Sequence, residues 1–253
     1  MGISYAPYND DGTCKTQAQV NADFAKINGY GVVRIYGTDC NQATTVLNAV
    51  KAKGMKLFQG VFDIAQTSSC VQTIINANKA AGDNWASIDT VSVGNELVNS
   101  GGATVGAVVD AINTARSLLR AAGYKGPVVT VDTFVAMIAN PALCKASDYA
   151  AANCHAFFDG SVAAADAGKF VLDQAQRVSA ACGGMDTVIT ETGWPTAGNT
   201  NGKAVPSTAN QKAALKSLQN HFSSNLILFS AFNDLWKKNN AGTYGAENFW
   251  GIL

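Results

Sequence analysis

The sequence predicts an α/β protein, a single (β/α)8 TIM barrel occupying residues 1–253 as one domain. Three observations predict it. Short β-branched runs alternate with stretches whose apolar residues recur at helical spacing. Eight such units fit into 253 residues at roughly 30 residues each, the size of one strand–helix unit. No linker, low-complexity tract or charge run divides the chain. Alternation implies a parallel sheet with right-handed crossovers, and eight repeats imply closure. An open doubly wound sheet would want a glycine-rich phosphate loop after an early strand, and none follows the first.

Taken in order, residues 3–8 read as the first strand, and 17–27 as a helix with Val20, Phe24 and Ile27 on one face. Strand two is 32–36. A helix over 43–52 carries Val46, Leu47 and Val50, and Gly54 closes it. Strand three is 56–62, followed by a helix over 67–81 with Val71, Ile74 and Ile75. Residues 90–96, V-S-V-G-N-E at their end, form strand four, and 105–122 a long helix with Val108, Ile112, Leu118 and Leu119. Strand five is 127–132, a shorter helical piece covers 136–145, and 149–157 is read as strand six. The helix over 163–181 places Phe170, Val171 and Val178 together. Strand seven lies in 186–195, D-T-V-I-T-E-T-G-W-P, whose β-branched core stops at Gly193, Trp194 and Pro195. Ser207 is a fitting N-cap for a helix over 207–222, and 226–232 is strand eight.

Composition excludes several functions. Net charge is zero, only 14% of residues are charged and no Lys/Arg cluster occurs, so neither nucleic acid nor an anionic membrane has an electrostatic footprint. A neutral partner is expected. No apolar run approaches the roughly 18–20 residues needed to span a bilayer. Ile3 already belongs to a strand pattern, so no secretory signal is read, and Met1 is taken to stand where a leader was removed. Six cysteines without a C-x-x-C pair point to disulfides in an oxidising compartment rather than zinc. Cys14 and Cys40 fall in loops above adjacent strands, and Cys144 and Cys182 both below strands six and seven, so these are the expected pairs. Cys154, mid-strand, is expected to be a buried free thiol. His155 and His221 are far apart in the chain, so no metal is expected, nor any organic cofactor. There is no N-x-S/T sequon. A monomer is expected.

Active sites of such barrels lie at the C-terminal ends of the strands, and two of those ends are glutamates. Glu96 closes strand four and Glu191 strand seven, three units later. A lone glutamate at the end of a buried strand would more often cap a turn or pair with a lysine. A second one at an equivalent place changes that reading. Strand alternation puts Glu96 on the face of Ser92 and Gly94, away from Val91 and Val93, and so toward the barrel mouth. Two carboxylates converging on one pocket resist joint ionisation, which equips one as acid and the other as anion, the apparatus of glycoside hydrolysis. Retention needs the two about 5–5.5 Å apart and inversion about 6.5–9.5 Å.

Aromatic residues gather at the same strand ends: Tyr5, Tyr8, Tyr36, Phe157, Phe158, Trp194 and Trp236. The apolar C–H faces of pyranose rings pack on such rings, so the set suits a sugar cleft, although each could equally be core. Trp194 and Tyr36 are the foremost candidates. Asp132 and His155 close strands five and six, where each could hydrogen-bond substrate or orient Glu191; a satisfied structural role is an equal reading of His155.

V-G-N-E at 93–96 and T-E-T-G-W-P at 190–195, with G-I-S-Y-A-P-Y at the start and R-I-Y-G at 34–37, resemble family 17 glycoside hydrolases. N-G-K-A-V-P-S at 201–207, A-F-N-D-L-W-K at 231–237 and F-W-G-I at 249–252 bring the resemblance to the fungal cell-wall branch and extend it through nearly the whole chain. That resemblance implies retaining cleavage of β-1,3-glucan, with Glu191 as nucleophile and Glu96 as acid/base. It implies that Asn95 hydrogen-bonds the sugar 2-hydroxyl, unless it is only a turn amide. Asp234 and Lys237 resemble the acidic residue and lysine that follow strand eight, where plant members commonly carry glutamate. The implied partner is β-1,3-glucan or laminari-oligosaccharides, and the implied location is secreted, extracellular and cell-wall. Fungal relatives lean toward β-1,3-glucanosyltransfer, so transfer stands beside hydrolysis. A non-catalytic glucan-binding wall protein on the same fold would be expected to lack one carboxylate, and both are present.

Overall fold

A computed structural model describes residues 1–253. Eight parallel strands close into a barrel in chain order, β1 (Gly2–Ser4), β2 (Val32–Arg34), β3 (Lys56–Val61), β4 (Ile88–Asn95), β5 (Val128–Thr133), β6 (Ala150–Asn153), β7 (Thr187–Thr192) and β8 (Leu226–Leu228), with β8 pairing back onto β1. The outer layer is α1 (Gln17–Lys26), α2 (Gln42–Lys53), α3 (Thr67–Ala80), α4 (Val105–Ala121), α5 (Phe134–Ala139), α6 (Pro141–Ala146), α7 (Ala167–Ala181) and α8 (Thr208–His221). The expected (β/α)8 barrel is therefore present, with two local departures. The helical piece after β5 is split, because Pro141 starts a new helix at its first turn and has no N–H to continue the old one. No α-helix follows β8; residues 229–253 instead fold across the C-terminal mouth.

Four strands end before their apolar runs do. β1, β2, β6 and β8 stop at Ser4, Arg34, Asn153 and Leu228, where the sequence pattern continued to Tyr8, Tyr36, Phe157 and Phe232. Those aromatic residues leave the ladder but stay packed in or near the core, so the pattern reported burial rather than pairing. Residues 156–158 form a single 3-10 turn.

Helix starts follow local chemistry. Thr16 and Gln19 form a capping box on α1, Thr104 caps α4, and Ser207 accepts the Asn210 N–H at the start of α8 as its position suggested. Most of the core lies between strands and helices. A smaller cluster of Phe58, Val129, Val131, Ala151 and Ile227 is separate from it, and the guanidinium of Arg34 lies over the ring of Phe58. Disulfides join Cys14 to Cys40 and Cys144 to Cys182, and Cys154 is buried and free, all as read from the sequence; Cys70 is also free. No helix is long and apolar enough to cross a membrane. No three His, Cys, Asp or Glu side chains are grouped so as to hold a metal ion.

Candidate active site

A cavity of about 540 Å³ opens at the C-terminal mouth, and both Glu96 and Glu191 line it. They arrive by different routes. Glu191 belongs to β7, whose register shifts against both neighbours near it. Beyond it, Gly193 lets the chain pass the carbonyl of Phe229, a space that any β-carbon would fill. Glu96 sits just beyond β4, and strand alternation does not account for its direction. The ladder to β5 is irregular between Ser92 and Asn95, Gly94 has φ +79° and Glu96 itself φ +55°. Glu96 faces the mouth because the strand end is wound into the left-handed region, a conformation disfavoured for a residue with a side chain.

One buried network joins the two carboxylates. Arg34, at the end of β2 and 1% exposed, donates through Nη1 to Glu191 Oε1 (2.9 Å), the Thr190 carbonyl (2.8 Å) and Asn153 Oδ1 (3.2 Å), and through Nη2 to Asn95 Oδ1 (2.8 Å). Asn153 then donates to Asn95 Oδ1 (3.1 Å) and Glu96 Oε1 (2.8 Å), and accepts from the Thr190 hydroxyl (2.8 Å). On its far side Glu191 Oε2 lies 3.2 Å from His155 Nε2. The guanidinium of Arg34 also lies over the ring of Tyr36, 4.5 Å from its centroid.

This arrangement splits the two acids. Burial pushes Glu191 up, but Arg34, the His155 hydrogen bond and Lys237 outweigh it and hold the carboxyl down at about 2. Burial also raises Glu96, and the negative charge of Glu191 raises it further, against an opposing hydrogen bond from Asn153. The site thus carries an ionised carboxylate facing a carboxyl biased toward its protonated form. Tyr36 is raised well above the usual range by burial first and by Glu191 next, so it stays a neutral O–H.

The remaining candidates divide into those the fold gathers at the cavity and those it does not. Tyr36, Asn95, His155, Asp234, Trp236 and Lys237 line it, as do Tyr8 and Phe158. Lys237 pairs with Asp234 (3.1 Å) and Glu247 (3.6 Å), which raise it against the opposite pull of burial. Four others are corrected by the structure. Trp194 is fully buried: its indole N–H donates to the Val205 carbonyl, and its ring meets Phe157 edge to face. Phe157 is equally buried on the 3-10 turn, so neither ring presents a face to a sugar. Tyr5 is buried with its hydroxyl donating to Asp23, away from the main cavity. Asp132 is buried and occupied by backbone N–H groups of Val98, Asn99 and Thr133, so it contacts neither the cavity nor Glu191. In each case position at a strand end was taken for access to the mouth, whereas Asp132 lies on the face of β5 turned to the helical layer, and Tyr5, Phe157 and Trp194 lie beyond their strands, where the chain packs them into the core.

Arg34 and Asn153 are the residues that sequence reasoning did not single out. Arg34 carried a usable signal, a lone charge in the apolar run V-V-R-I-Y, which must be paired if buried. Asn153 carried none beyond being the one amide in a run of alanines. Of the wall built by 229–253, the sequence reading found Asp234, Trp236 and Lys237 but not Phe229, Glu247 and Trp250, which lie in irregular structure.

Comparison with known proteins places this geometry in context. The family profile described as the BtgE/BtgC glycoside hydrolase domain matches residues 2–251. The chain is 53% identical over 253 residues to the probable family 17 glucosidase SCW10 of Saccharomyces cerevisiae, covering 100% of this chain and 64% of that protein. It is 50% identical over 252 residues to the cell surface mannoprotein MP65 of Candida albicans, covering 99% and 66%. It thus spans a little under two thirds of the length of these relatives. Among solved structures, an active-site mutant of the Rhizomucor miehei β-1,3-glucanosyltransferase in complex with laminaritriose superposes with a TM-score of 0.81 at 25% identity, covering 100% of this chain and 92% of that one.

Proposed function

Because the chain belongs to the BtgE/BtgC glycoside hydrolase domain family, we propose that it is a retaining enzyme acting on β-1,3-glucan, with Glu191 as nucleophile and Glu96 as acid/base. In the first step a Glu191 carboxylate oxygen bonds to the anomeric carbon while Glu96 gives its proton to the departing glycosidic oxygen. In the second, Glu96 takes a proton from the incoming hydroxyl, which displaces Glu191 with restoration of the original configuration. The observation that carries this reading is the split pair: a buried, Arg34-held carboxylate beside a carboxyl whose proton affinity is raised. Asn95, turned by Arg34 and Asn153 into the same cavity, suits a sugar hydroxyl next to the reacting carbon. The roughly 540 Å³ of the cavity, with Phe62, Phe158 and Trp236 at its sides, suits sugar rings rather than a charged ligand. Laminari-oligosaccharides are the proposed substrates, since laminaritriose is the ligand of the Rhizomucor miehei transferase.

Transfer is the second reading, supported by two solved structures of the Rhizomucor miehei β-1,3-glucanosyltransferase, with TM-scores of 0.81 and 0.79. Both outcomes share the glycosyl–Glu191 intermediate and differ in whether water or a glucan hydroxyl accepts the sugar. A secreted cell-wall location is proposed from the two disulfides and the cell-surface relative. Incubation with 2,4-dinitrophenyl 2-deoxy-2-fluoro-β-laminaribioside should leave a stable glycosyl adduct on the peptide containing Glu191, and an adduct elsewhere would sink the assignment. With laminari-oligosaccharides, products longer than the substrate establish transfer, and only shorter ones establish hydrolysis.

A further inference from the structure

Asp132 is a buried carboxylate that does not line the cavity, and its three hydrogen-bond donors come from two places, the loop after β4 and the end of β5 itself. Its Oδ2 accepts the N–H of Val98 (2.9 Å), and its Oδ1 accepts those of Asn99 (3.3 Å) and Thr133 (2.8 Å). The Thr133 hydroxyl also donates to Asn99 Oδ1 (3.0 Å), so the end of β5 and the loop after β4 are tied side chain to backbone and side chain to side chain. That loop is the one that begins at Glu96. Glu96 takes its place through a left-handed residue (φ +55°) two positions after another (Gly94, φ +79°), and its own N–H bonds the Val131 carbonyl of β5 (3.0 Å). A side chain-bearing residue holds such a conformation only where its surroundings over-determine it. On the N-terminal side the β4–β5 ladder supplies the restraint. On the C-terminal side Asp132 does, gripping the chain two and three residues after Glu96.

We propose that Asp132 is a positioning residue that fixes Glu96 at the angle from which it can protonate the leaving oxygen. The proposal rests on the assignment of Glu96 as acid/base. It differs from both roles suggested by the residue's place at a strand end, since Asp132 touches neither the cavity nor Glu191. A residue that aims the acid, rather than binding sugar or merely supporting the fold, has a distinctive kinetic consequence. Its loss should matter in proportion to how much the leaving group needs a proton. A sugar hydroxyl leaving from a glucan needs one, whereas 2,4-dinitrophenolate departs without it.

The test compares kcat/KM, which reports the glycosylation step, for laminaritetraose and for 2,4-dinitrophenyl β-laminaribioside in the native protein, Asp132→Ala, Asp132→Asn and Glu96→Ala. Asp132→Ala is expected to lower the value for laminaritetraose about 10²-fold and that for the dinitrophenyl glycoside less than about threefold. Asp132→Asn keeps the shape and one acceptor oxygen, and should show the same selectivity at smaller amplitude. It serves alone if the alanine variant does not fold. Equal falls on both substrates, or no fall on either, overturn the proposal. Selectivity in Glu96→Ala without selectivity in the Asp132 variants overturns the role of Asp132 alone. A Glu96→Ala variant that shows no selectivity overturns the assignment of Glu96, and the role of Asp132 with it.

Discussion

The two mouths of the barrel hold cavities of similar size, about 540 Å³ at the C-terminal end and about 480 Å³ at the N-terminal end, and carboxylates border both. At the N-terminal mouth these are Asp89, Asp148 and Asp186, all exposed, and the two with hydrogen bonds use them on neighbours. Asp148 accepts the Val128 N–H (2.7 Å) and pairs with Arg116 and Arg120 of α4, while Asp89 accepts from Thr90 beside it. At the C-terminal mouth, carboxylates from strands distant in the chain share one buried network through Arg34, Asn95 and Asn153. Cavity size and acidity therefore do not distinguish the mouths. What distinguishes them is that one forces two acids out of water together, where each charge alters the other. At the N-terminal mouth the acids stay in water, and those with partners hold local hydrogen bonds and solvated ion pairs.

The contrast breaks most sharply at Glu191. Glu191→Gln removes the proposed nucleophile while keeping its volume, and laminari-oligosaccharide turnover should fall by about 10⁴-fold or more. Residual turnover within tenfold of native would remove the distinction between the mouths altogether. Arg34→Met is expected to act on both stability and chemistry. It strands the Glu191 charge in the interior, a change that costs about 3–5 kcal/mol in buried pairs, readable by urea unfolding at neutral pH. The native depression of Glu191 from 4.5 to about 2 contributes stability that is present above 4.5 and lost as pH falls toward 2. The stability gap between native and variant should accordingly narrow over that interval. A gap that stays constant would mean that Arg34 acts through packing on Tyr36 and Phe58 rather than through charge.

The same split sets the pH dependence of the native enzyme. As the proposed nucleophile Glu191 acts ionised, so activity from this group is expected to be lost only as pH falls through about 2, far below the usual carboxylate range. As the proposed acid Glu96 acts protonated, so activity is expected to be lost as pH rises through its raised value. The profile of kcat/KM should thus be flat into strongly acidic solution and bounded on the alkaline side by Glu96. Glu96→Gln should abolish that alkaline limb. Its persistence would move the role of titrating acid to another group in the cavity.

How much of this was legible in the sequence depends on which physical signal each residue left. Strand and helix alternation fixes the barrel, because every unit must bury an apolar face, and the ends of strands four and seven locate Glu96 and Glu191 without any coordinates. The same rule misplaced Asp132, since a strand has two sides and only one faces the mouth, and it misplaced Trp194, Phe157 and Tyr5, which lie past the ends of their strands and turn into the core. Even Glu96, correctly placed at the cavity, gets there by a left-handed bend that period-two alternation cannot express. Arg34 was readable in principle from the cost of a charge in an apolar strand. In the wall formed by 229–253, Asp234, Trp236 and Lys237 were readable from the family resemblance, whereas Phe229, Glu247 and Trp250 were not, because irregular chain has no periodicity to read.

The bottom mouth offers the smaller tests. Asp148→Ala removes an acceptor for the Val128 N–H and two solvated pairs, for about 1–2 kcal/mol of stability, with kcat/KM per folded molecule unchanged. A fall in kcat/KM would show that the N-terminal cavity communicates with the site and that the two mouths are not independent.

Trp194→Phe discriminates within the C-terminal end itself. Trp194 lies three residues after Glu191 and was the foremost candidate for a sugar platform, yet it is sealed against Phe157 with its N–H spent on Val205. Losing that bond and part of the ring should cost about 1–3 kcal/mol of stability and leave KM for laminari-oligosaccharides unchanged. Phe158, 42% exposed at the cavity, is the control: Phe158→Ala should raise KM severalfold with little loss of stability. The reverse pattern, KM moving with Trp194 and stability with Phe158, would mean that the buried ring opens to substrate and that the strand-end reading was right about it after all.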